Sequence, residues 1–202
     1  YIGLIHGEAE EQGAVQELSR LSEQELDRIE GLVQNLLKIT KLDAGTIVLD
    51  KSLENVSEMM ESVKKHFLFR AEQEEKQICL SGSGETTLLC DRNWMIEAIS
   101  NLVKNALDHT GKGGCICMEW REFASIVQII VKDNGSGIYP EDLHHIFKRF
   151  YRSRYSKDTQ GIGLGLPLSK AIVEAHNGTI EADSTLGSGT SFTMNFLIPT
   201  KL

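Results

Sequence analysis

Three glycines at alternate positions, in Gly161-Ile162-Gly163-Leu164-Gly165-Leu166, constrain the fold more than any other stretch of the chain. Glycine leaves the backbone free to adopt φ and ψ angles that other residues avoid. The apolar spacing that follows, with Pro167 near its start, predicts a helix. A glycine loop that leads into a helix N-terminus can offer N–H groups and partial positive charge to a phosphate. An ordinary turn is the alternative, which only the rest of the chain can decide.

Composition excludes several classes of protein. The chain of 202 residues is 41% hydrophobic and 25% charged, which predicts one large globular domain or one domain with an appendage. No apolar run reaches the roughly 20 residues of a membrane span, and no signal peptide is visible. The net charge of −8 argues against non-specific binding of nucleic acid. The first residue is not Met, so we expect a fragment of a longer protein.

The cysteines allow two interpretations. Cys115 and Cys117 flank a single residue and could supply half of a metal site, but no His or Cys pair at zinc-like spacing completes it. Reduced thiols on the strands of a cytoplasmic protein are therefore the favoured interpretation.

Residues 16–42 predict an amphipathic helix of about seven turns, because apolar residues recur three and four positions apart. With residues 1–13 as the end of a preceding helix, we expect an antiparallel helical hairpin. One hairpin cannot bury so wide an apolar stripe, which favours pairing with a second copy into a four-helix bundle. Packing of the helix on its own globular domain is the alternative. The break at Asp43-Ala44-Gly45 favours the dimer and predicts a domain boundary after residue 44.

Strands and helices alternate after Gly45. Extended patterns predict strands at 46–53, 77–80, 86–90, 114–121, 125–132, 179–183 and 191–198. Helices are predicted at 56–74, at 140–146, after Asp91 as an N-cap, and after the glycine loop. The strand at 125–132 is nearly all apolar, as in a strand that is buried on both faces.

One helix carries an unusual polar ridge. Glu97, Asn101, Asn105 and Asp108 are spaced four, four and three residues apart and so share a face. Solvation of an exposed face is the simplest explanation, but asparagine is a poor helix former. Asparagine oxygens can bind Mg²⁺ beside phosphate oxygens, which makes the ridge a candidate metal site.

A carboxylate follows the apolar strand directly, in Asp133-Asn134-Gly135-Ser136-Gly137. An ionised Asp only accepts hydrogen bonds, so it suits the exocyclic amine of adenine and rejects the keto group of guanine. The alternative is again an ordinary turn. Before the glycine loop, a polar stretch with Arg152, Arg154 and Lys157 is typical of a lid over phosphates or of a solvated loop.

Five motifs occur together in this chain: Asn101-Leu-Val-Lys-Asn105, Asp133-Asn-Gly-Ser-Gly137, Phe147-Lys-Arg-Phe150, Gly161-Ile-Gly-Leu-Gly165 and Gly187-Ser-Gly-Thr190. In this order they resemble the N box, the glycine boxes and the F box of two-component sensor histidine kinases. That catalytic domain belongs to the ATPase superfamily shared with gyrase, the Hsp90 chaperone and MutL. Residues 36–45 also resemble the end of the dimerisation hairpin of such kinases.

The resemblance implies a fold of the α+β class, the Bergerat-type (GHKL) α/β sandwich. A mixed, largely antiparallel sheet of about five strands would carry three helices on one face. A helical hairpin segment at residues 1–44 would precede the catalytic ATP-binding domain at residues 45–202.

The resemblance also implies the ligands and their binding residues. ATP would bind with its adenine N6 on Asp133, assisted by Thr190 through water. Asn101 and Asn105 would hold Mg²⁺ against the triphosphate. The N–H groups of Gly161, Gly163 and Gly165, with Arg149 or Arg152, would meet the β- and γ-phosphates. The other expected nucleotide contacts are His109, Gly135, Gly137, Leu164 and Leu166.

The activity implied is transfer of the ATP γ-phosphoryl group to a histidine of the dimerisation domain, for relay to a response regulator. Asn101, Arg149 and Arg152 would assist the transfer, and Glu97 could orient or deprotonate the imidazole; a solvated surface Glu is the alternative. The chain would act as a homodimer, without nucleic acid. It would be the cytoplasmic portion of a sensor kinase that is anchored to the inner or plasma membrane by parts missing here.

Two departures from the family pattern limit these expectations. The phospho-accepting histidine motif, His-(Glu/Asp)-x-x-x-Pro, is absent, and His6 has no proline near it, so we expect the acceptor upstream of Tyr1. His6 itself is the less favoured alternative. Asp108 stands where the family often has a basic residue, so His109 or Lys104 would have to make that phosphate contact. A non-catalytic dimeric signalling scaffold is the alternative function.

Overall fold

The computed structural model describes residues 2–153 and 162–198, with side chains from Val15 onward. The chain divides into two units, residues 1–37 and residues 38–202. Helix α1 (Ile2–Asp43) supplies the described part of the first unit and the first residues of the second.

Helix α1 is continuous, so the predicted turn between residues 1–13 and residue 16 is wrong, and no hairpin forms within this segment. The segment contains no proline, and Gly3, Gly7 and Gly13 each cost only about 1 kcal/mol relative to Ala in a helix interior. Glycine therefore weakens the helix without ending it. The assignment of residues 1–44 to a dimerisation domain stays a prediction.

The end of α1 agrees with the sequence. Gly45 has a φ of 62°, and its N–H donates to Leu42 O at 3.0 Å. The N–H of Thr46 donates to Lys41 O at 3.1 Å. These two bonds form a Schellman motif, in which glycine takes the left-handed conformation without a Cβ penalty.

The first unit exposes most of its large apolar side chains. They recur mainly three and four residues apart along the helix, as in a stripe that packs against another helix. The exposed side chains are Val15, Leu18, Leu21, Leu26, Ile29, Val33 and Leu37.

Within the described residues, the second unit contains a five-stranded sheet and a two-stranded sheet. The seven strands are β1 (Ser52–Asn55), β2 (Gln77–Ser81), β3 (Thr87–Cys90), β4 (Cys115–Glu122), β5 (Ile126–Asp133), β6 (Gly178–Thr185) and β7 (Gly189–Leu197). The large sheet has the order β2-β4-β5-β7-β6, and β1 pairs with β3. Only the β2–β4 pair of the large sheet is parallel. The predicted mixed, largely antiparallel sheet is thus confirmed.

The second unit also contains α2 (Val56–Gln73), α3 (Arg92–His109), the short α4 (Pro140–Leu143) and α5 (Gly165–Ala175). Asp91 caps α3 as predicted, because its Oδ1 accepts from the N–H groups of Asn93 at 3.1 Å and Trp94 at 3.3 Å. Asn55 caps α2 in the same way, accepting from the N–H of Glu58 at 3.0 Å.

A single core joins α2 and α3 to one face of the large sheet, and side chains of α5 are buried with it. Met59, Met95, Met118, Ile129 and Phe192 are all fully buried within it. Burial alternates along β5, so the prediction that this strand is buried on both faces is wrong. Its second face is only partly buried, because Ile126, Gln128 and Ile130 keep some exposure and Lys132 is exposed.

Two predicted boundaries shift. Residues 46–51 do not form a strand, and pairing begins only at Ser52. The N–H of Asp50 instead donates to Asp91 Oδ2 at 3.1 Å. Helix α4 ends at Leu143 and not at the predicted residue 146. Just beyond that end, the N–H of His145 donates to Asp142 O at 2.7 Å, as in a tighter 3₁₀ turn.

His176 closes α5 against the start of α3. Its Nε2 accepts from the N–H of Asp91 at 3.0 Å, and its Nδ1 lies 2.7 Å from Ile172 O, so this neutral tautomer donates from Nδ1. Burial lowers the pKa of His176 below its ordinary value. The imidazole therefore binds a proton less readily in the folded protein than in the unfolded chain.

We expect the free energy of unfolding to decrease as the pH is lowered, because of His176. A depressed histidine pKa gives stability that is fully present above the unfolded value of about 6.5 and is lost as the pH falls below it. Urea unfolding followed from about pH 8 to pH 5 should show this loss, and His176→Gln should reduce it. His66→Gln, at an exposed histidine, should leave the pH dependence of the free energy of unfolding unchanged. An equal pH dependence in both variants would contradict the assignment of the effect to His176.

Candidate nucleotide site

Asp133 forms one end of the candidate site. It ends β5, where it is 3% exposed. Its Oδ1 accepts from the N–H of Gly135 at 2.8 Å and from the N–H of Thr190 at 3.3 Å. Both of these bonds use Oδ1, so Oδ2 is the atom that can accept from a ligand.

Burial raises the pKa of Asp133, against the opposing effects of the Gly135 and Thr190 N–H groups and of nearby His109. An isolated buried carboxylate is costly. Asp133 thus carries a desolvation cost that a hydrogen-bond donor from a ligand would offset.

The glycines near Asp133 allow close backbone approach. A Cβ on Gly135 would clash with the carbonyl oxygen of His109, and a Cβ on Gly189 would clash with the carbonyl oxygen of Asp133. Gly189 also has a φ of 105°, which L side chains rarely adopt. Glycine at positions 135 and 189 therefore allows the backbones of α3, β5 and β7 to approach one another closely around the Asp133 carboxylate.

Gly135→Ala is expected to weaken nucleotide binding at least tenfold, because the new methyl group must push Asp133 and the His109 carbonyl apart. Calorimetric titration with ATP measures the loss. Gly84→Ala is the matched control, since a Cβ there meets nothing within 4 Å. Equal affinities for the two variants would show that the Gly135 contact has no part in binding.

Ser184 supports this end of the site, and the sequence did not reveal it. Its Oγ accepts from the N–H of Ile138 at 2.8 Å and donates to Gly189 O at 2.9 Å. It also lies 3.0 Å from Thr190 Oγ1. A serine near the end of an alternating strand gives no sequence signal of such a role. Ser184 ties the two glycine segments together and orients Thr190.

The polar ridge of α3 is only partly available. Asn101 and Asn105 are both partly buried. Asn101 Nδ2 is buried and, among the described residues, has no hydrogen-bond partner. The amide of Asn101 lies near the start of α5, since a Cβ on Gly165 would be 3.8 Å from Asn101 Oδ1. An unsatisfied buried donor is expensive, so a phosphate oxygen at this position would satisfy it.

The outer members of the ridge make ion pairs. Glu97 pairs with Lys38 at 2.5 Å, and Asp108 pairs with Arg70 at 2.6 Å. The backbone carbonyl of His109 accepts from the N–H of Ser136, in the loop that follows Asp133, at 3.1 Å. Lys104 is exposed.

The second glycine box leads into α5, as predicted. Gly163 has a φ of 74°, and its carbonyl accepts from the N–H of Phe150 at 3.0 Å. Leu164 is buried at the N-cap position. The first N–H groups of any helix lack partners within it, so Gly165 and Leu166 can offer theirs to an anion. Gly161, Arg154 and Lys157 lie outside the described residues.

Two arginines in and beside the F box, Arg149 and Arg152, already interact with other residues. Arg149 forms an ion pair with Asp43 at the end of α1, and both side chains remain partly exposed. Arg152 is exposed but has an interaction of its own.

Gly137, with a φ of 70°, packs against the carbonyl of Thr185 and so belongs to the Asp133 end of the candidate site.

The structure therefore places together Asp133, Gly135, Gly137, Thr190 and His109 at one end. It places Asn101 beside Gly165 at the other. A buried acceptor at one end and amide donors beside a helix N-terminus at the other fit a purine nucleotide with its phosphates. The site also fits Mg²⁺, because the side chains of Asn101 and Asn105 can offer amide oxygens, the hard ligands that the ion prefers.

Comparison with known proteins supports this interpretation. The family described as histidine kinase-, DNA gyrase B-, and HSP90-like ATPase matches residues 90–200, more than half of the chain. Sensor protein SrrB of Staphylococcus aureus (strain MRSA252) is 29% identical over 191 residues, which are 94% of this chain and 33% of SrrB. The chain thus spans about a third of the length of the curated relatives it matches.

Solved structures share the fold. Full-length ShkA in complex with AMPPNP superimposes with a TM-score of 0.75 at 24% identity, over 84% of this chain and 36% of that one. Histidine kinase ThkA in complex with response regulator protein TrrA gives a TM-score of 0.71 at 24% identity, over 89% of this chain and 50% of that one. At this identity the likeness establishes the fold alone.

None of the helices in the described residues is long and apolar enough to cross a membrane. The expected GHKL fold is present, with its mixed, largely antiparallel sheet. The chain belongs to the histidine kinase-, DNA gyrase B- and HSP90-like ATPase family, and its recognisable motifs are those of a sensor histidine kinase catalytic domain.

Proposed function

We propose that this chain is the ATP-binding catalytic portion of a sensor histidine kinase. It would transfer the γ-phosphoryl group of ATP to a histidine of the dimerisation domain, for relay to a response regulator. The observation that carries the proposal is the buried carboxylate of Asp133, held at Oδ1 by two backbone N–H groups at the end of β5. The similarity to SrrB and the fold shared with ThkA, whose structure contains a response regulator, support it.

Asp133 selects the base in this proposal. Its Oδ2 accepts from the N6 amine of adenine, and Thr190 assists through water. Guanine presents a keto oxygen at that position, and an ionised carboxylate repels it because neither group can donate. His109, Gly135 and Gly137 shape the walls around the ring.

The triphosphate lies toward Asn101, Asn105 and the N-terminus of α5. When bound, Mg²⁺ supplies neutralisation of charge on the phosphates. Asn101 and Asn105 would hold it. Asn101 Nδ2, which has no hydrogen-bond partner in the part of the chain that the structure describes, would donate to a phosphate oxygen. The N–H groups of the glycine loop, from Gly163 through Leu166, would meet the β- and γ-phosphates.

Two ion pairs must open for the remaining roles. Glu97 can orient or deprotonate an imidazole only after it leaves Lys38, and Arg149 can reach a phosphate only after it leaves Asp43. Both partners lie in the last turns of α1. Exposed or half-exposed pairs such as these contribute only about 0–1 kcal/mol, so exchanging them for phosphate contacts is inexpensive.

The exposed apolar stripe of residues 15–37 would bury itself against a second copy of the chain, giving a homodimer. The parent protein would carry its membrane anchor and the phospho-accepting histidine in segments outside this chain.

The test supplies the chain with ATP, Mg²⁺ and the separately expressed acceptor hairpin of the parent protein. We expect an acid-labile phosphate on a histidine of the hairpin, and its loss when Mg²⁺ is chelated. Passage of the phosphate to an aspartate of the cognate response regulator would follow. ATP binding without any transfer, under conditions in which the hairpin is folded and dimeric, would instead support the signalling scaffold.

A further inference from the structure

Three of the four cysteines meet on the face of the large sheet that points away from the core. Cys79 lies on β2, and Cys115 and Cys117 lie two residues apart on β4. The Sγ atom of Cys115 is 3.5 Å from that of Cys79 and 3.6 Å from that of Cys117. All three Sγ atoms lie within 4.8 Å of one another.

The parallel pairing of β2 with β4 produces this cluster. Cys79 is directly opposite Cys117 in the register, and Gln77 is opposite Cys115. Side chains at alternate positions of a strand share a face, so both β4 cysteines point the same way as Cys79. Cys79, 36 residues before Cys115, thus adds a third thiol to the Cys115-Ile116-Cys117 pair.

We propose that Cys79, Cys115 and Cys117 form a binding site for a thiophilic d¹⁰ cation, with Zn²⁺ as its representative. The inference is independent of the proposed kinase function.

The spacing of the sulfur atoms fits such an ion. A Zn–S bond of about 2.3 Å puts the sulfur atoms of a tetrahedral site about 3.8 Å apart. The two measured contacts are slightly shorter than this edge, and the third separation is within an ångström of it. Small rotations of the side chains would therefore complete three corners of a tetrahedron.

The surroundings leave the fourth corner open. Cys79 is exposed, and Cys115 and Cys117 are partly exposed, so a water molecule can reach an ion held between them. Three protein ligands and one open position are typical of zinc sites that keep an exchangeable ligand. Lys132 is opposite Cys117 in the pairing of β4 with β5, on the same face, where its charge would offset the excess negative charge of three thiolates.

The thiolate, not the thiol, is the form of cysteine that binds a metal, so each cysteine that binds the cation must lose its proton. Burial, together with the neighbouring thiols of Cys79 and Cys117, raises the pKa of Cys115 to about 12. Binding of a cation replaces these protons, which pass to the buffer, and so converts thiols into thiolate ligands. The apparent affinity should consequently rise with pH.

The experiment uses the whole chain, reduced and free of metal. We expect calorimetry to show one Zn²⁺ bound per chain and Cd²⁺ to produce the ultraviolet absorption of thiolate-to-metal charge transfer. Cys79→Ser, Cys115→Ser and Cys117→Ser should each weaken Zn²⁺ binding at least about tenfold, since even changes outside the ligand sphere cost 10- to 100-fold.

Cys90→Ala is the matched control, because Cys90 is buried on β3 in the other sheet, and it should retain wild-type affinity. Circular dichroism of each variant separates loss of a ligand from loss of the fold. The proposal is overturned by absence of Zn²⁺ binding, by binding that survives in all three folded serine variants, or by binding without the charge-transfer band.

Discussion

Asp133→Asn is expected to weaken ATP binding about 100-fold while the nucleotide-free protein loses no stability. The substitution keeps the shape of the side chain and changes only its hydrogen-bonding pattern. With Oδ1 facing the N–H groups of Gly135 and Thr190, the new Nδ2 faces the N6 amine of adenine as a second donor. In the flipped orientation Nδ2 instead opposes those two N–H groups. Either orientation leaves a buried polar group unpaired, at about 1–3 kcal/mol for each one.

Asp133→Asn should weaken ATP binding but should not lower the free energy of unfolding. Burial raises the pKa of Asp133, so the unfolded chain ionises more readily than the folded protein. The resulting loss of stability sets in as the pH rises through the unfolded value of about 3.9 and is complete once the pH exceeds the higher folded value. Removing the charge should leave the free energy of unfolding equal or higher.

Calorimetry with ATP and GTP, together with urea unfolding, tests both expectations. GTP binding should change little. Asp183→Asn, at an exposed position on β6, makes the same chemical change and should affect neither measurement. Equal losses of ATP and GTP affinity in Asp133→Asn would show that this carboxylate does not select the base.

Asn105→Asp should abolish binding of Mg-ATP, with a loss of about 100-fold or more in affinity. The substitution removes an amide donor and places a negative charge next to the triphosphate, in a partly buried position on α3. Like charges in such a site are strongly unfavourable. The helix should survive, because a charge near its C-terminal end costs only about 0.3–1 kcal/mol.

Asn93→Asp is the matched control for this variant. It makes the same change on the same helix, at an exposed position in the first turn, more than three turns from Asn105. ATP titrations with and without Mg²⁺ separate metal from nucleotide binding. Unchanged Mg-ATP affinity in a folded Asn105→Asp protein would remove Asn105 from the site.

Local patterns predicted most of the elements of the second unit. Helices α2 and α3 and the strands of the large sheet lie within a few residues of their predicted bounds. Their apolar periodicity is strong, and the caps Asn55 and Asp91 are local. Gly45 also ended α1 as the sequence indicated. The turn expected near residue 14 failed because glycine alone does not terminate a helix.

Contacts between distant residues could not be predicted in this way. Lys38 pairs with Glu97 across 59 residues, and Arg149 pairs with Asp43 across 106. The approach of Cys79 to Cys115 depends on the parallel pairing of β2 with β4 around the intervening α3, and spacing along the chain contains no sign of it. Such contacts follow from topology, whereas the glycine and asparagine boxes reveal themselves because each is a compact local motif.

The central claim is that Asp133 binds the base and that Asn105 lies at the metal and phosphate end of the same site. A crystal structure of the chain with Mg²⁺ and a non-hydrolysable ATP analogue tests it most directly. We expect a carboxylate oxygen of Asp133 to accept a hydrogen bond from the adenine N6 amine and the Asn105 side-chain oxygen to be a ligand of the metal. Adenine bound away from Asp133, or Asn105 turned toward solvent in the loaded site, would contradict it.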